Sequence, residues 1–270
     1  MIRPLCLVAL LLPAIASAQE AGGYSAGPAS SEPRYESRVY SFQPSPEVTQ
    51  SRLFAGARFW RLDPGQYEVE TWWRVRKTAE GTEHLFQAEV EIGLTAHLQL
   101  DLYENLQVLP GQSLSQEGNQ IEARYSFARN YGELWGNPTL YLEWHPRHHA
   151  PDRAEARMLI GGELLPRLMG ALNVYVEQNV TDRDGPEGVD GELGFNAAAS
   201  YGVIDDHLRI GAETKLGLDQ HGKPDYVPLV EVGPNILVHA GRFKATATFL
   251  FGLEPTDPRY EPFLILGYAL

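Results

Sequence analysis

The chain has 270 residues, with 22 basic against 35 acidic side chains and a formal net charge of −13 at pH 7. That balance argues against nucleic acid as a partner, because a phosphate backbone requires a basic face. The single cysteine, Cys6, lies within the first eighteen residues. A chain that has lost them can hold no disulfide, Cys metal cluster or Cys nucleophile.

Those eighteen residues read as a secretory signal. Met1-Ile2-Arg3 carries one positive charge, Leu5 to Ile15 is apolar apart from Pro13, and Ala16-Ser17-Ala18 supplies a small-x-small cleavage pattern. Export with cleavage after Ala18 is expected, which leaves 21 basic residues against 35 acidic ones. Mean hydropathy is −0.28, and no later apolar run reaches the length of a membrane helix. One form of membrane protein remains open to such a chain. A closed β-barrel satisfies its backbone between strands while half its side chains stay polar.

Gln19 to Pro46 is rich in Gly, Ser, Pro and Glu and has no sustained period, so residues 19–65 read as a flexible periplasmic N-terminal segment. Within it Glu47–Leu62 is more apolar and fits either a short strand or a plug. Asp63-Pro64-Gly65 is a turn. Apolar and polar residues then alternate in segments of about ten, the length of a tilted membrane strand. Strands are predicted at Gln66–Lys77, Glu83–Gly93, His97–Val108, Asn119–Ala128, Pro138–His145 and Ala154–Leu164. Six more follow at Gly170–Val180, Gly191–Val203, His207–Leu218, Val227–Val238, Arg242–Leu253 and Glu261–Leu270.

Short links (Leu94–Ala96, Pro166–Met169, Ile204–Asp206, His239–Gly241) alternate with longer polar ones. Outer-membrane barrels have that asymmetry, with short periplasmic turns and longer outside loops, whereas nothing in a soluble sandwich imposes it. Arg129 to Asn137 breaks the rule, being long where a short turn is due. The final strand carries Tyr268 and ends on Leu270, which resembles a barrel assembly signal that usually ends on an aromatic residue. The fold class expected is all-β: a transmembrane antiparallel up-and-down barrel of about twelve strands over residues 66–270.

Aromatic residues (Trp60, Trp72, Trp73, Trp135 and Trp144, with Tyr67, Tyr103, Tyr131, Tyr141, Tyr201 and Tyr268) gather near predicted strand ends, as a headgroup girdle would. If apolar positions face lipid, the alternate set points inward. It contains Glu68, Glu70, Glu89, Glu91, Asp101, Glu122, Glu143, Glu155, Glu163, Glu177, Glu192, Glu213 and Glu231, with Arg74, Arg76, Arg124, Arg157, Arg209, Lys215 and Lys244 as basic partners. These thirteen acids and seven bases either pair and brace a narrow lumen or line a wet, cation-favouring pore. By the same rule Leu100 faces lipid and Gln99 faces inward, where an added charge should be tolerated.

His145-Pro146-Arg147-His148-His149 lacks the spacing of a closed metal site. Asp182, Asp184, Glu187 and Asp190 lack the order of a calcium loop. Both read as solvated outer loops, and no metal, cofactor or catalytic residue is expected. No histidine is followed closely by a Ser-Asn-Gly stretch, so a hydrolase reading finds no serine–histidine pair of that kind.

The stretch from Trp72 to Val108 resembles a poorly characterised outer-membrane β-barrel family related to outer-membrane proteins assigned to the phenol meta-cleavage pathway. The likeness rests on Gly65-Gln66-Tyr67-Glu68-Val69-Glu70 leading into a Trp-rich strand, on Glu89-Val90-Glu91-Ile92-Gly93-Leu94-Thr95 before a tight turn, and on Leu98-Gln99-Leu100-Asp101-Leu102-Tyr103. The later Ile204-Asp205-Asp206-His207-Leu208 turn adds to it. The resemblance implies a barrel with a role in small-molecule uptake and carries over no catalytic residue. Porin-like passive passage across the bacterial outer membrane is the leading expectation. A closed structural barrel whose loops make surface contacts is the alternative, and an outer-membrane lipid hydrolase is a third. The partners expected are outer-membrane lipid, the barrel-assembly machinery and a small-molecule solute.

Overall fold

Alternation with period two sends successive side chains to opposite faces of a strand, and here the alternating segments close on themselves. A computed structural model describes residues 42–50, 52–148, 150–181, 191–205, 207–221, 225–255 and 258–270. The expected signal sequence, residues 19–41, His149 and the acidic stretch 182–190 lie outside the described residues. Twelve antiparallel strands form one closed barrel. They are β1 (Tyr67–Lys77), β2 (Thr82–Gly93), β3 (Leu98–Val108), β4 (Ser115–Ser126), β5 (Thr139–His145), β6 (Arg153–Leu165), β7 (Leu168–Asn179), β8 (Gly191–Ile204), β9 (Leu208–His221), β10 (Asp225–Ala240), β11 (Phe243–Gly252) and β12 (Glu261–Ala269). Each pairs with its chain neighbours, and β1 with β12 (Glu68 opposite Ala269 through Arg74 opposite Phe263) completes the ring. Closure leaves no sheet edge with unpaired backbone groups.

The wall is inside-out relative to a water-soluble barrel. Val90, Leu102 and Val174 are 40, 43 and 49% exposed, while their inward neighbours Glu89, Asp101 and Asn173 are 2, 0 and 0% exposed. The aromatic residues expected as a girdle divide between the faces. Tyr67, Trp73, Trp144, Tyr201 and Tyr268 are exposed on strands, and Trp135 on the β4–β5 link. Trp60, Tyr103 and Tyr141 are buried inside and Trp72 is turned inward, because polar tips that find interior acceptors, a hydroxyl for Trp60 and carboxylates for the others, compete with the headgroup boundary.

Observed strands match the predicted ones to within a few residues, except that β4 begins at Ser115 and not Asn119. Its first residues, Ser115-Gln116-Glu117-Gly118, show no alternation, and the pairing slips at Asn105/Leu106 of β3, a bulge that period-two reading does not register.

Gly65 ends the segment ahead of β1 with φ of 79°, a left-handed turn that its N–H anchors to Gly93 O at 2.8 Å. Residues 42–65 therefore approach from the short-turn end, and they turn into the barrel. Leu53, Phe54, Ala57, Phe59 and Trp60 are at most 4% exposed and form one apolar cluster with Ala128, Met169, Ala171 and Leu237. For this part of the 19–65 lead, the expected flexible segment gives way to a packed insert, and of the two forms open to Glu47–Leu62 the plug is the one found.

Leu102 sits mid-strand facing outward, so Leu102→Arg should reduce the yield of folded barrel in membranes, a midplane charge costing roughly 2–4 kcal/mol. Gln87→Arg, turned toward the interior cavity, should assemble near wild-type level. Heat-modifiable mobility in gels reports both, and equal assembly would contradict the assigned faces.

Candidate functional site

The interior is built in three levels, each fixed by polar contacts between the insert and the wall. At the short-turn end the insert is tied into a loop by Asp63. Its carboxylate accepts Ser45 N and Ser45 Oγ, both at 2.7 Å, and Gln50 Nε2 at 3.1 Å. Trp60 Nε1 donates to Ser45 Oγ at 2.9 Å. Arg61 reaches outward from this knot and donates to Ser126 Oγ (2.8 Å), Arg129 O (2.8 Å) and Ala96 O. The long β4–β5 link, anomalous as a periplasmic turn, has its role here. It brings Arg129 O to Arg61 and sets Tyr131 edge-on against Trp60 with ring centroids 5.6 Å apart.

At the middle level two insert arginines meet the acidic wall of β1 and β2. Arg52 pairs with Glu70 (2.5 Å), Glu89 (2.8 Å) and Glu91 (3.3 Å), and Arg58 pairs with Glu89 (3.1 Å) and Glu91 (3.0 Å). Beside them Arg124 holds Asp101 at 2.8 Å and also pairs with Glu122, which accepts the Tyr103 hydroxyl. Gln99 is inward as expected but fully buried. It accepts Leu62 N at 2.5 Å and donates to Glu91 and Asp101 at 3.0 and 2.7 Å. The expected tolerance of a charge assumed a wet lumen, whereas Gln99 is sealed from solvent and a larger side chain there would displace its bond to Leu62 N.

The turn of the insert, Ala55–Gly56, lies near mid-wall. Both backbone N–H groups donate to Glu213 at 2.8 Å, Thr248 Oγ1 donates to it at 2.5 Å, and Asn196 Nδ2 donates to Gly56 O at 2.9 Å. Only a group that accepts at both oxygens suits that arrangement. Close approach along the insert is permitted by Gly161, where a Cβ would stand 2.4 Å from Phe59 Cβ.

Above the insert a polar cavity of about 930 Å³ faces the long-loop end, floored by Arg52, Ala55, Gly56 and Arg58. Arg74 and Arg76 on its wall pair with Glu261 at 3.1 and 3.4 Å. Arg157 pairs with Glu155 and lies 5.2 and 5.0 Å from the ring centres of Tyr141 and Tyr175. Those tyrosines donate to Glu143 and Glu192. Lys215 sits 3.1 Å from Glu192, and Glu177 pairs with Arg153 at 2.8 Å.

Every expected lumen-lining candidate therefore lies on an inward position, but at different levels. Glu68 is sealed against Lys244 at 2.6 Å, and Arg209 is buried at the short-turn end against Ser200 O and Arg167 O, both at 2.9 Å. Glu70, Glu89, Glu91, Asp101, Glu122, Arg124 and Glu213 form the middle level. Arg74, Arg76, Glu143, Arg157, Glu177, Lys215 and Glu231 line the cavity. Glu163, also counted inward from the sequence, pairs opposite the inward Met169 but is exposed at the short-turn end, beside a β6–β7 bulge. Of the histidine cluster, His145 is buried near Asn105, with Nε2 3.4 Å from its Nδ2, while His148 is bound through its backbone to Glu117 O. Arg52, Arg58, Arg61 and Glu261 were not legible as site residues. The three arginines precede the alternating region, although cations inside an apolar stretch are the complement of an acid-rich wall.

Glu213→Gln should loosen the insert's turn, since an amide N–H replaces an acceptor facing donors. Loss of satisfied buried contacts costs about 1–3 kcal/mol. Amide exchange at Ala55 and Gly56 should then accelerate by roughly tenfold or more while barrel strands stay protected. Unchanged protection at these two amides would contradict the docking described.

No protein-family model matches the chain, nor does any curated protein sequence. Solved structures do share its fold. The COG4313 outer membrane channel from Pseudomonas putida F1 aligns with a TM-score of 0.59 at 11% identity over 80% of this chain and 100% of its own. The KdgM porin gives 0.53 at 8% over 75% and 99%, and the NanC porin 0.52 at 12% over 75% and 98%. At these identities the likeness establishes a shared architecture, the closed barrel of outer-membrane channels and porins.

Proposed function

We propose that this chain is exported, its signal cleaved after Ala18, to the bacterial outer membrane, where it acts as a passive channel for small molecules whose lumen is closed by residues 42–65 in the described state. The observation that carries this reading is the roughly 930 Å³ polar cavity inside an inside-out barrel, floored by a segment outside the strand wall. A purely structural barrel has no need of a cavity that size. Channel and porin barrels among the similar folds support the same reading, and it calls for no catalytic group. The sequence resemblance to barrels assigned to the phenol meta-cleavage pathway extends the proposal to uptake of small molecules.

The alternative of a closed structural barrel draws on a specific feature too. Below the cavity, acids and bases pair and an apolar cluster packs the insert against the wall. The two readings part on whether the insert leaves. In planar bilayers, deletion of residues 45–63 should raise conductance well above wild type and give cation preference at low salt. The preference should weaken as ionic strength screens the wall. Adding Glu89→Gln and Glu91→Gln should reduce it further. A folded deletion variant without conductance would favour the structural barrel, and anion preference would contradict the charge assignment.

A further inference from the structure

Arg52 occupies a site with more definition than plug closure requires. Its guanidinium carbon lies 3.9 Å from the centre of the Trp72 ring. Its nitrogens meet Glu70, Glu89 and Glu91 at 2.5, 2.8 and 3.3 Å. Trp72 Nε1 donates to Glu70 at 3.2 Å and Glu89 at 3.1 Å, so the aromatic face and two of the carboxylates are set by the wall itself. One aromatic face with converging carboxylates is the chemistry that recognises an organic cation. A strongly hydrated divalent ion gains less from the ring.

Two further observations point to a ligand. Glu68, 1% exposed, has an Oε1 with no hydrogen-bond partner among the described residues. It stands next to Glu70, and a Cβ added at Gly267 would meet the Oε1 atoms of both at 2.6 and 3.5 Å. One buried acceptor on this wall thus remains without a donor even with the insert seated. The cage adjoins the cavity through Arg52 and Trp72, which both line it, while its three carboxylates lie buried behind them, so a solute in the cavity reaches them by displacing Arg52. With Arg52 and Arg58 withdrawn, Glu70 and Glu89 would lose their ion-pair partners among the described residues, and Arg124 would remain to face Glu91, Asp101 and Glu122.

We infer that the Trp72–Glu70–Glu89–Glu91 cage is a recognition site for a small organic cation bearing a guanidinium or ammonium group, and that Arg52 is its resident surrogate. The solute's part in opening the lumen rests on the channel reading; the site itself does not. A bound cation replaces the charge that Arg52 supplies, so solute and insert compete for one place. A neutral or anionic solute cannot make that exchange without leaving buried carboxylates unpaired.

Agmatine, with a guanidinium at one end and an ammonium at the other, is the probe. In calorimetric titrations of the full chain in detergent micelles, Arg52→Ala should bind agmatine at least about tenfold more tightly than wild type. Adding Glu89→Gln and Glu91→Gln should weaken that binding by at least about tenfold. Wild type provides a readout independent of variant folding: saturating agmatine should accelerate amide exchange at Ala55 and Gly56, whereas glycerol should not. A folded Arg52→Ala variant that ignores agmatine, equal affinity after the Gln substitutions, or preference for Ca²⁺ over agmatine would overturn the site, as would unaltered exchange in wild type. Agmatine binding without conductance would contradict the channel reading and leave the site standing. Conductance on plug deletion without agmatine binding would do the reverse.

Discussion

A carboxylate taken out of water must find a cation or a set of donors, because an unpaired buried charge costs several kcal/mol. The rest of this structure follows from meeting that requirement inside a barrel whose inward faces are rich in acid. The strands alone do not meet it. Lys244 and Arg124 answer Glu68, Asp101 and Glu122 from within the wall, but Glu70 and Glu89 depend on arginines brought in from ahead of β1. The insert is thus part of the barrel's electrostatic balance as well as an apolar filling. Loss of Arg52 alone would leave Glu70 without an ion-pair partner among the described residues.

The same segment is arranged so that it can act as a unit. Asp63 ties its two ends together at the short-turn end, and Glu213 holds the turn between them. Apolar side chains between those anchors pack on Met169, Ala171 and Leu237 of the wall. Among the described residues no strand pairing joins insert to wall, and beyond the Gly65–Gly93 backbone bond the contacts are hydrogen bonds involving side chains, ion pairs and packing. Such contacts can be exchanged for others without breaking the ladder that keeps the barrel closed. This separates the stability of the barrel from the occupancy of its lumen, which is the physical requirement for a closed state that can open.

The barrel was legible in the sequence because strand alternation and link length are local signals. Leu98–Val108 shows its faces residue by residue, and the short Ile204–Asp206 link is visible without knowing what it joins. Inward orientation of Glu89, Asp101, Glu122 and Glu213 followed from the same period. The contacts of those residues did not follow, because an ion pair such as Arg52–Glu89 spans 37 positions and depends on a path with no periodic pattern. Trp72 and Tyr103 were read as girdle candidates for a related reason. Composition at a strand end is the same whether the ring faces headgroups or an interior carboxylate. The overlong 127–138 link was visible as an anomaly, and only the insert beneath it supplies its cause.

The central claim is that residues 42–65 occupy the lumen in the membrane and that their seating sets whether it conducts. A Cβ at Gly56 would lie 3.8 Å from Asn196 Cγ, close enough for a thiol pair to bridge with modest adjustment. With Gly56→Cys and Asn196→Cys in the full chain, mild oxidation of outer-membrane fractions should give the 56–196 disulfide in high yield. The oxidised protein should conduct less in planar bilayers than the same protein after reduction. Failure of the bridge to form, with both thiols open to a bulky maleimide in the folded barrel, would contradict the account.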